Sequence, residues 1–332
     1  MKWTNVLGVS IVSSSLMLAG CNTEQVNKES HKEQTQAQAE SPVTISNYHR
    51  EFTIEEPPKR VISTNNHTTE LLLALGLEDV IVGKVIGHES DILPEFQEAF
   101  DVIPTISQSD HHYPSLEAIL EYEPDFMFGR ESAFTENSIG TPEKLKEYGI
   151  NVLVSKGTYT PGATIEDVYE DIENLGKIFN VEERGEEIIN EMKANIESVQ
   201  KQIGKIEEPV SVAVMDMGGD SLFTAAQALE SNLIELAGGR NVFADIEKTW
   251  AKVSWEELVE RNPDVIVINE YSEVPTEDKI NELLTHSALQ DVEAVKNQRF
   301  VILSLSNVFE GVRNDDAVEI LAKGFYPEKF GE

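Results

Sequence analysis

One segment of this chain is written twice. Ser115-Leu-Glu-Ala-Ile-Leu-Glu-Tyr-Glu-Pro-Asp-Phe-Met-Phe128 is answered by Ser254-Trp-Glu-Glu-Leu-Val-Glu-Arg-Asn-Pro-Asp-Val-Ile-Val267. Ser115, Glu117, Glu121, Pro124 and Asp125 match Ser254, Glu256, Glu260, Pro263 and Asp264 at one fixed offset. Each copy reads as a short helix, a Pro-Asp turn and a buried parallel strand. Between the copies, apolar residues fall at Ile188, Met192, Ile196, Val199 and Ile203, which draws one stripe down an α-helix. Over residues 181–203 such a helix is roughly 35 Å long, enough to span two lobes. Asn180 stands where an N-cap belongs, Glu183 completes a capping box, and Gly204 suits a helix end. The expected fold class is therefore α/β, with two similar lobes of parallel sheet bridged by one long helix.

The 332 residues suffice for two ordinary domains with a core each. The formal charge of −34, with no basic run against it, excludes a nucleic-acid partner. The single cysteine, Cys21, excludes an intrachain disulfide. It follows Lys2, a short apolar stretch and Leu18-Ala19-Gly20. This run resembles a bacterial lipobox, which implies a signal peptide over 1–20 and a lipidated N-terminus at Cys21. The polar stretch 21–42 reads as a flexible tether.

An N-terminal α/β lobe is expected over 43–163. It starts with two short alternating strands and the run Lys59-Arg60-Val61-Ile62-Ser63 entering a buried strand, then a polar turn at Asn65, Asn66, His67, Thr68 and Thr69, and a helix from Glu70 closed by Gly76. A helical linker over 164–204 contains the spine. The C-terminal lobe, 205–332, has strands at 210–215, 265–268 and 300–303, and helices at 229–237, 255–261, 280–284 and 317–325. Ligands of such sheets bind beyond the carboxyl ends of the strands.

Taken together, several motifs place the chain by resemblance. They are Arg60-Val-Ile-Ser63, Thr69-Glu70-Leu-Leu-Leu-Ala-Leu-Gly76, Gly238-Gly-Arg-Asn-Val-Phe243, the two Pro-Asp repeats, and Leu321-Ala-Lys-Gly-Phe-Tyr-Pro-Glu-Lys-Phe330. In this order, behind a lipobox, they resemble the helix-spined solute-binding lipoproteins of bacterial ABC importers for iron–siderophores, haem and cobalamin. The resemblance implies two Rossmann-like lobes bridged by a single helix, and a monomer on the extracytoplasmic face of a Gram-positive membrane. It implies an ABC permease dimer with its cytoplasmic ATPase as partner, a ferric siderophore as transported ligand, and no intrinsic cofactor. Haem or cobalamin is the alternative cargo, and zinc or manganese a further one.

Carried over position by position, the resemblance implies ligand contacts from Asn66, His67, Arg130, Trp250, Asn307, Phe309 and Arg313. It assigns permease docking to Glu117 and Glu256. A guanidinium suits the oxygens of a ferric chelate. The competing role of Arg130 is a salt bridge to Glu131 or Glu136, and that of Arg313 is one to Asp315 or Asp316. Trp250 and Phe309 offer flat apolar faces, or else core packing. His67, His88, His111, His112 and Tyr113 keep a metal or haem reading open, although no strong ligand spacing is present. An exported hydrolase is the competing class. The chain carries no G-x-S-x-G, no H-E-x-x-H and no dinucleotide or Walker glycine pattern, so no catalytic residues are expected.

Overall fold

The computed structural model describes residues 42–87, 91–108, 112–271 and 274–331. The signal segment, Cys21 and the tether up to residue 41 lie outside the described residues, as do His88 and His111. Ser41–Glu332 forms one compact unit. Among the described residues, no helix is long and apolar enough to cross a membrane.

The chain enters through a hairpin of β1 (Val43–Asn47) and β2 (Arg50–Ile54). Its two turn residues, Tyr48 and His49, both take positive φ, which matches the twist of the strands. Strand β3 (Val61–Ser63) leads into helix α1 (Asn66–Ala74), and β4 (Ile81–Ile86) follows. Helix α2 (Gln97–Val102), β5 (Thr105–Gln108), α3 (Leu116–Leu120), β6 (Phe126–Gly129), α4 (Pro142–Glu147) and β7 (Asn151–Val154) complete the first half. The five strands β5-β4-β3-β6-β7 form one parallel sheet.

Two helices then run back to back, α5 (Ile165–Phe179) and the spine α6 (Glu182–Ile203). The spine lies where the apolar stripe puts it, but its start differs from expectation. Asn180 adopts the left-handed conformation as the C-cap of α5, and Val181 precedes the first turn of α6 without a side-chain cap. A left-handed asparagine can close one helix only by leaving its backbone unavailable to cap the next.

The second half contains β8 (Val210–Met215), β9 (Leu222–Ala225), α7 (Leu229–Leu236), β10 (Gly239–Asn241), β11 (Trp250–Val253), α8 (Trp255–Arg261) and β12 (Val265–Glu270). It ends with α9 (Thr276–Thr285), α10 (Glu293–Lys296), β13 (Phe300–Ser304), α11 (Leu305–Val308), α12 (Asn314–Phe325) and α13 (Pro327–Phe330). Strands β10-β8-β12-β13 make the second parallel sheet, and β9 pairs with β11 as an antiparallel ribbon.

The repeat is visible in the backbone. Ser115 and Ser254 each cap a helix, accepting from the N–H of Ala118 and of Glu257. Glu123 and Asn262, each just before the proline, both take positive φ. Asp125 accepts from the N–H groups of Lys59 and Arg60, and Asp264 from the N–H and hydroxyl of Ser211. Each aspartate therefore clamps the entry of the neighbouring strand, β3 or β8. The registers agree as well: Val61 faces Phe126, and Val212 faces Val265.

Alternate residues of these strands face opposite layers, as a pleated strand requires. Val61, Phe126 and Phe128 join a core shared with Ile188, Met192, Ile196, Val199 and Ile203 of the spine and with Val212, Val265 and Val267 of the second sheet. Ile62 and Met127 pack on the far face, as do Ala213 and Ile266 in the other half. Each such buried Val, Ile, Met or Phe side chain contributes about 1.5–3 kcal/mol. Polar contacts reinforce the bridge: Arg184 donates to the Ala74 carbonyl of α1 at 2.9 Å, and Asn195 to Asp315 of α12 at 2.7 Å.

Candidate functional site

The carboxyl ends of the two sheets face one another. Arg130 directly follows β6 of the first sheet, and residues 305–313 follow β13 of the second. Arg130 Nη1 lies 3.0 Å from Glu310 Oε2, and its guanidinium sits 4.2 Å above the Phe309 ring. The His67 ring reaches the same phenyl, with centroids 5.0 Å apart. Three of the expected residues, His67, Arg130 and Phe309, are thus brought together. The carboxylate that meets Arg130 is neither Glu131 nor Glu136. Glu131 instead accepts from the Tyr48 hydroxyl at 2.9 Å.

Two glycines make this approach possible. A Cβ on Gly129 would fall 1.7 Å from Thr64 Oγ1, so β6 can lie against the end of β3 only without a side chain there. A Cβ on Gly157 would fall 2.6 Å from Cγ of Glu310. Glu310 is held in that space with its side chain only 6% exposed, against 18% for Arg130.

Asn66 and His67 are not in a loop. They form the first turn of α1, fully inside the protein. The Thr68 hydroxyl accepts from the Asn65 N–H at 3.1 Å and so draws the helix back over the polar run. The expected turn is displaced because an Asn-x-x-Thr capping arrangement satisfies the orphan N–H groups of a helix start. Tyr113 hydrogen-bonds Ser132 at 2.9 Å.

Arg313 is buried, and its partners are not Asp315 and Asp316. Its guanidinium grips Glu70 of α1 through Nε, at 2.8 Å, and through Nη2, and it meets Asp91 Oδ2 at 2.7 Å. Asp91 also accepts from Ser306 at 2.5 Å. Burial alone disfavours the Arg313 charge, but the hydrogen bonds and charges of Glu70 and Asp91 outweigh it and raise its pKa above the ordinary value. Burial likewise pushes Asp91 upward, and Ser306 and Arg313 reverse that and hold it low. Arg313 therefore fastens the second half to the first. Breaking such a buried pair costs about 3–5 kcal/mol.

Asn307 is buried, and its carbonyl, with that of Phe309, accepts from Asn314. Trp250 lies on the β9–β11 ribbon, half-buried and stacked on Phe223 at 5.7 Å. Glu117 and Glu256 are both exposed, at matching places in the first turns of α3 and α8. The Glu117 carboxyl is held below its usual range by its own backbone N–H and by Ser115.

Several groups at the site carry no sequence motif. Below the first sheet's carboxyl end, Asp171 of α5 accepts from Ser155 at 3.0 Å and from the Lys156 N–H at 2.8 Å, and burial raises its pKa well above the ordinary value. Below the second, Glu230 of α7 accepts from Asn269 at 3.2 Å, and burial pushes it up to about 8. Lys156 meets Glu170 and Asp167 at 2.5 and 3.1 Å. Lys279 donates to the Asn269 carbonyl at 2.6 Å and lies over the Tyr271 ring. Asp171 in Ile165–Phe179 and Glu230 in Leu229–Leu236 lie on the buried faces of their helices, which nothing in the sequence marks. Among the described residues, no group of three or more His, Cys, Asp or Glu is arranged to hold a metal ion.

Residues 61–304 match the family model described as "Periplasmic binding protein". Over 338 aligned residues, covering the whole of both chains, the sequence is 26% identical to an uncharacterized ABC transporter substrate-binding lipoprotein, YvrC, of Bacillus subtilis. It is 28% identical to the vitamin B12-binding protein of Photorhabdus laumondii over 64% of this chain and 71% of that one. The structure superposes on an ABC-type Fe3+-hydroxamate transport protein of Saccharomonospora viridis with a TM-score of 0.74 and 25% identity, covering 88% of this chain and 99% of that one.

Proposed function

Because the chain belongs to the periplasmic binding protein family, we propose that it is the solute receptor of an ABC importer and captures a ferric siderophore between its two sheets. The observation that carries this reading is the meeting of Arg130, Phe309 and His67 at the facing carboxyl ends. A flat apolar ring beside a forked donor suits a compact chelate with an oxygen-rich rim. In this reading residues 43–163 and 205–332 act as two lobes about the helical linker 164–204. Asn66, Trp250, Asn307 and Arg313 shape or support the cleft. Cys21 carries the lipid that keeps the receptor on the outer face of the membrane. Likeness to the iron-hydroxamate transport protein supports the siderophore. Likeness to the vitamin B12-binding protein supports a second reading, in which the cargo is a corrinoid.

Tryptophan fluorescence of the purified chain, titrated with ferric hydroxamate, ferric catecholate, ferric citrate, haem and cobalamin, tests the reading. One of the three ferric chelates is expected to bind with a dissociation constant of about 1 μM or tighter and to be recovered unchanged. Binding of haem or cobalamin alone would overturn the siderophore, and binding of none, or release of an altered product, would overturn the receptor reading as well.

Glu117 and Glu256 supply the docking pair. Exposed, acidic and equivalent, they match the two-fold symmetry of a permease dimer. A Glu117→Ala, Glu256→Ala double variant is expected to bind its chelate normally and to lose whole-cell uptake. Normal uptake would remove the docking role.

A further inference from the structure

We infer that the cleft selects its cargo by charge, accepting a neutral or singly cationic chelate and rejecting an anionic one, with Glu310 as the residue that sets this preference. The inference rests on the chelate-receptor reading and narrows it.

The cations at the facing carboxyl ends are already matched. Among the described residues there, Arg130 meets Glu310, Arg313 meets Glu70 and Asp91, and Lys156 meets Asp167 and Glu170. Lys279 faces the Asn269 carbonyl and the Tyr271 ring. A cleft made for an anion would present a guanidinium without a buried carboxylate beside it. Here the carboxylate is built in: Glu310 is almost wholly enclosed, and the missing side chain at Gly157 makes its room.

An anionic rim reaching Arg130 would have to displace Glu310 or sit against it. Either way a buried carboxylate loses its partner or gains a like charge, and both are strongly unfavourable in a low-dielectric site. A neutral rim of carbonyl or hydroxamate oxygens meets no such cost. A guanidinium has five N–H donors, and the bond to Glu310 uses Nη1, so the fork can donate to neutral oxygens without releasing the carboxylate. An ammonium carried away from the rim that meets Arg130 requires no break in the Arg130–Glu310 pair. The net charge of −34 acts in the same sense at long range, slowing the approach of anions. Salt screens that outer field much more than the buried pair.

The test uses one ferric linear trihydroxamate in three forms: with its free amine, carrying charge +1; acetylated, carrying 0; and succinylated, carrying −1. Ferric citrate and a ferric tricatecholate serve as further anions, and cobalamin as a further neutral complex. Affinities of the full chain are measured at low salt and at 0.5 M NaCl. The free-amine and acetylated forms are expected to bind at least about tenfold more tightly than the succinylated one, with a good part of the gap surviving high salt. Glu310→Gln is expected to close most of that gap by strengthening binding of the succinylated form. Equal or tighter binding of the anions by the native chain overturns the inference while leaving the receptor reading intact. An unchanged order in a folded Glu310→Gln variant removes Glu310 as its cause. If no chelate binds, the receptor reading itself fails.

Discussion

The two helix–turn–strand copies are alike up to the point where their strands end, and there they part. Up to Phe128 and Val267 they share the serine cap, the exposed glutamate, the positive-φ residue before proline, and the aspartate clamp on the next strand. Continued at the same offset, Arg130 corresponds to Asn269. Arg130 reaches across to Phe309 and Glu310, whereas Asn269 stays within its own half, donating to Asp216 and Glu230. What is duplicated builds the frame, and what is not duplicated decides whether a strand end reaches across to the other half.

That division can be broken first at the seam. Glu70→Gln removes the more deeply buried of the two carboxylates on Arg313, with Asp91 left in place, and is expected to cost about 3 kcal/mol in chemical denaturation. A loss below about 1 kcal/mol would mean that the Arg313–Glu70 pair contributes little to the seam.

Two buried carboxyls sharpen the comparison, Asp171 on α5 beneath the first sheet and Glu230 on α7 beneath the second. Glu230 rises from the ordinary 4.5 to about 8 because it is desolvated. Between those two values the native state holds a proton that the unfolded chain has lost. Stability therefore falls as pH rises through that window, and the loss is complete above about pH 8. Glu230→Gln is expected to flatten part of that slope and to gain on the order of 3 kcal/mol at pH 8 relative to pH 5. Asp171 contributes with the same sign and retains the remainder. A pH dependence unchanged in Glu230→Gln would put the slope elsewhere.

The smallest effect tests the likeness itself. Ser115→Ala and Ser254→Ala each remove one helix cap and are expected to cost about 1 kcal/mol, adding in the double variant. Unequal costs would show that the copies are alike in outline but not in energetics.

The frame was legible because its causes are local. Helical periodicity placed the spine, and the Pro-Asp turn placed β6 and β12. Errors arose where one residue type serves two local roles. Asn180 ends α5 rather than starting α6, and Asn66 and His67 open α1 rather than forming a turn. The β9–β11 ribbon is not legible in the sequence because four-residue strands that alternate weakly look like loop. The partners of Arg130 and Arg313 are hidden in the sequence for another reason. Glu131 and Asp315 are near in sequence, but Arg130 pairs with Glu310 and Arg313 with Glu70 and Asp91, and only tertiary packing brings those together.

The most direct test of the account is the affinity of Arg130→Gln for the acetylated ferric trihydroxamate, measured beside the native chain, with thermal melting confirming that the variant folds. If the unduplicated residues at the strand ends bind the cargo, the melt stays cooperative and affinity falls about tenfold or more, as the loss of a charge-assisted hydrogen bond requires. A folded variant that binds with native affinity would contradict the assignment of the cleft to Arg130 and its neighbours.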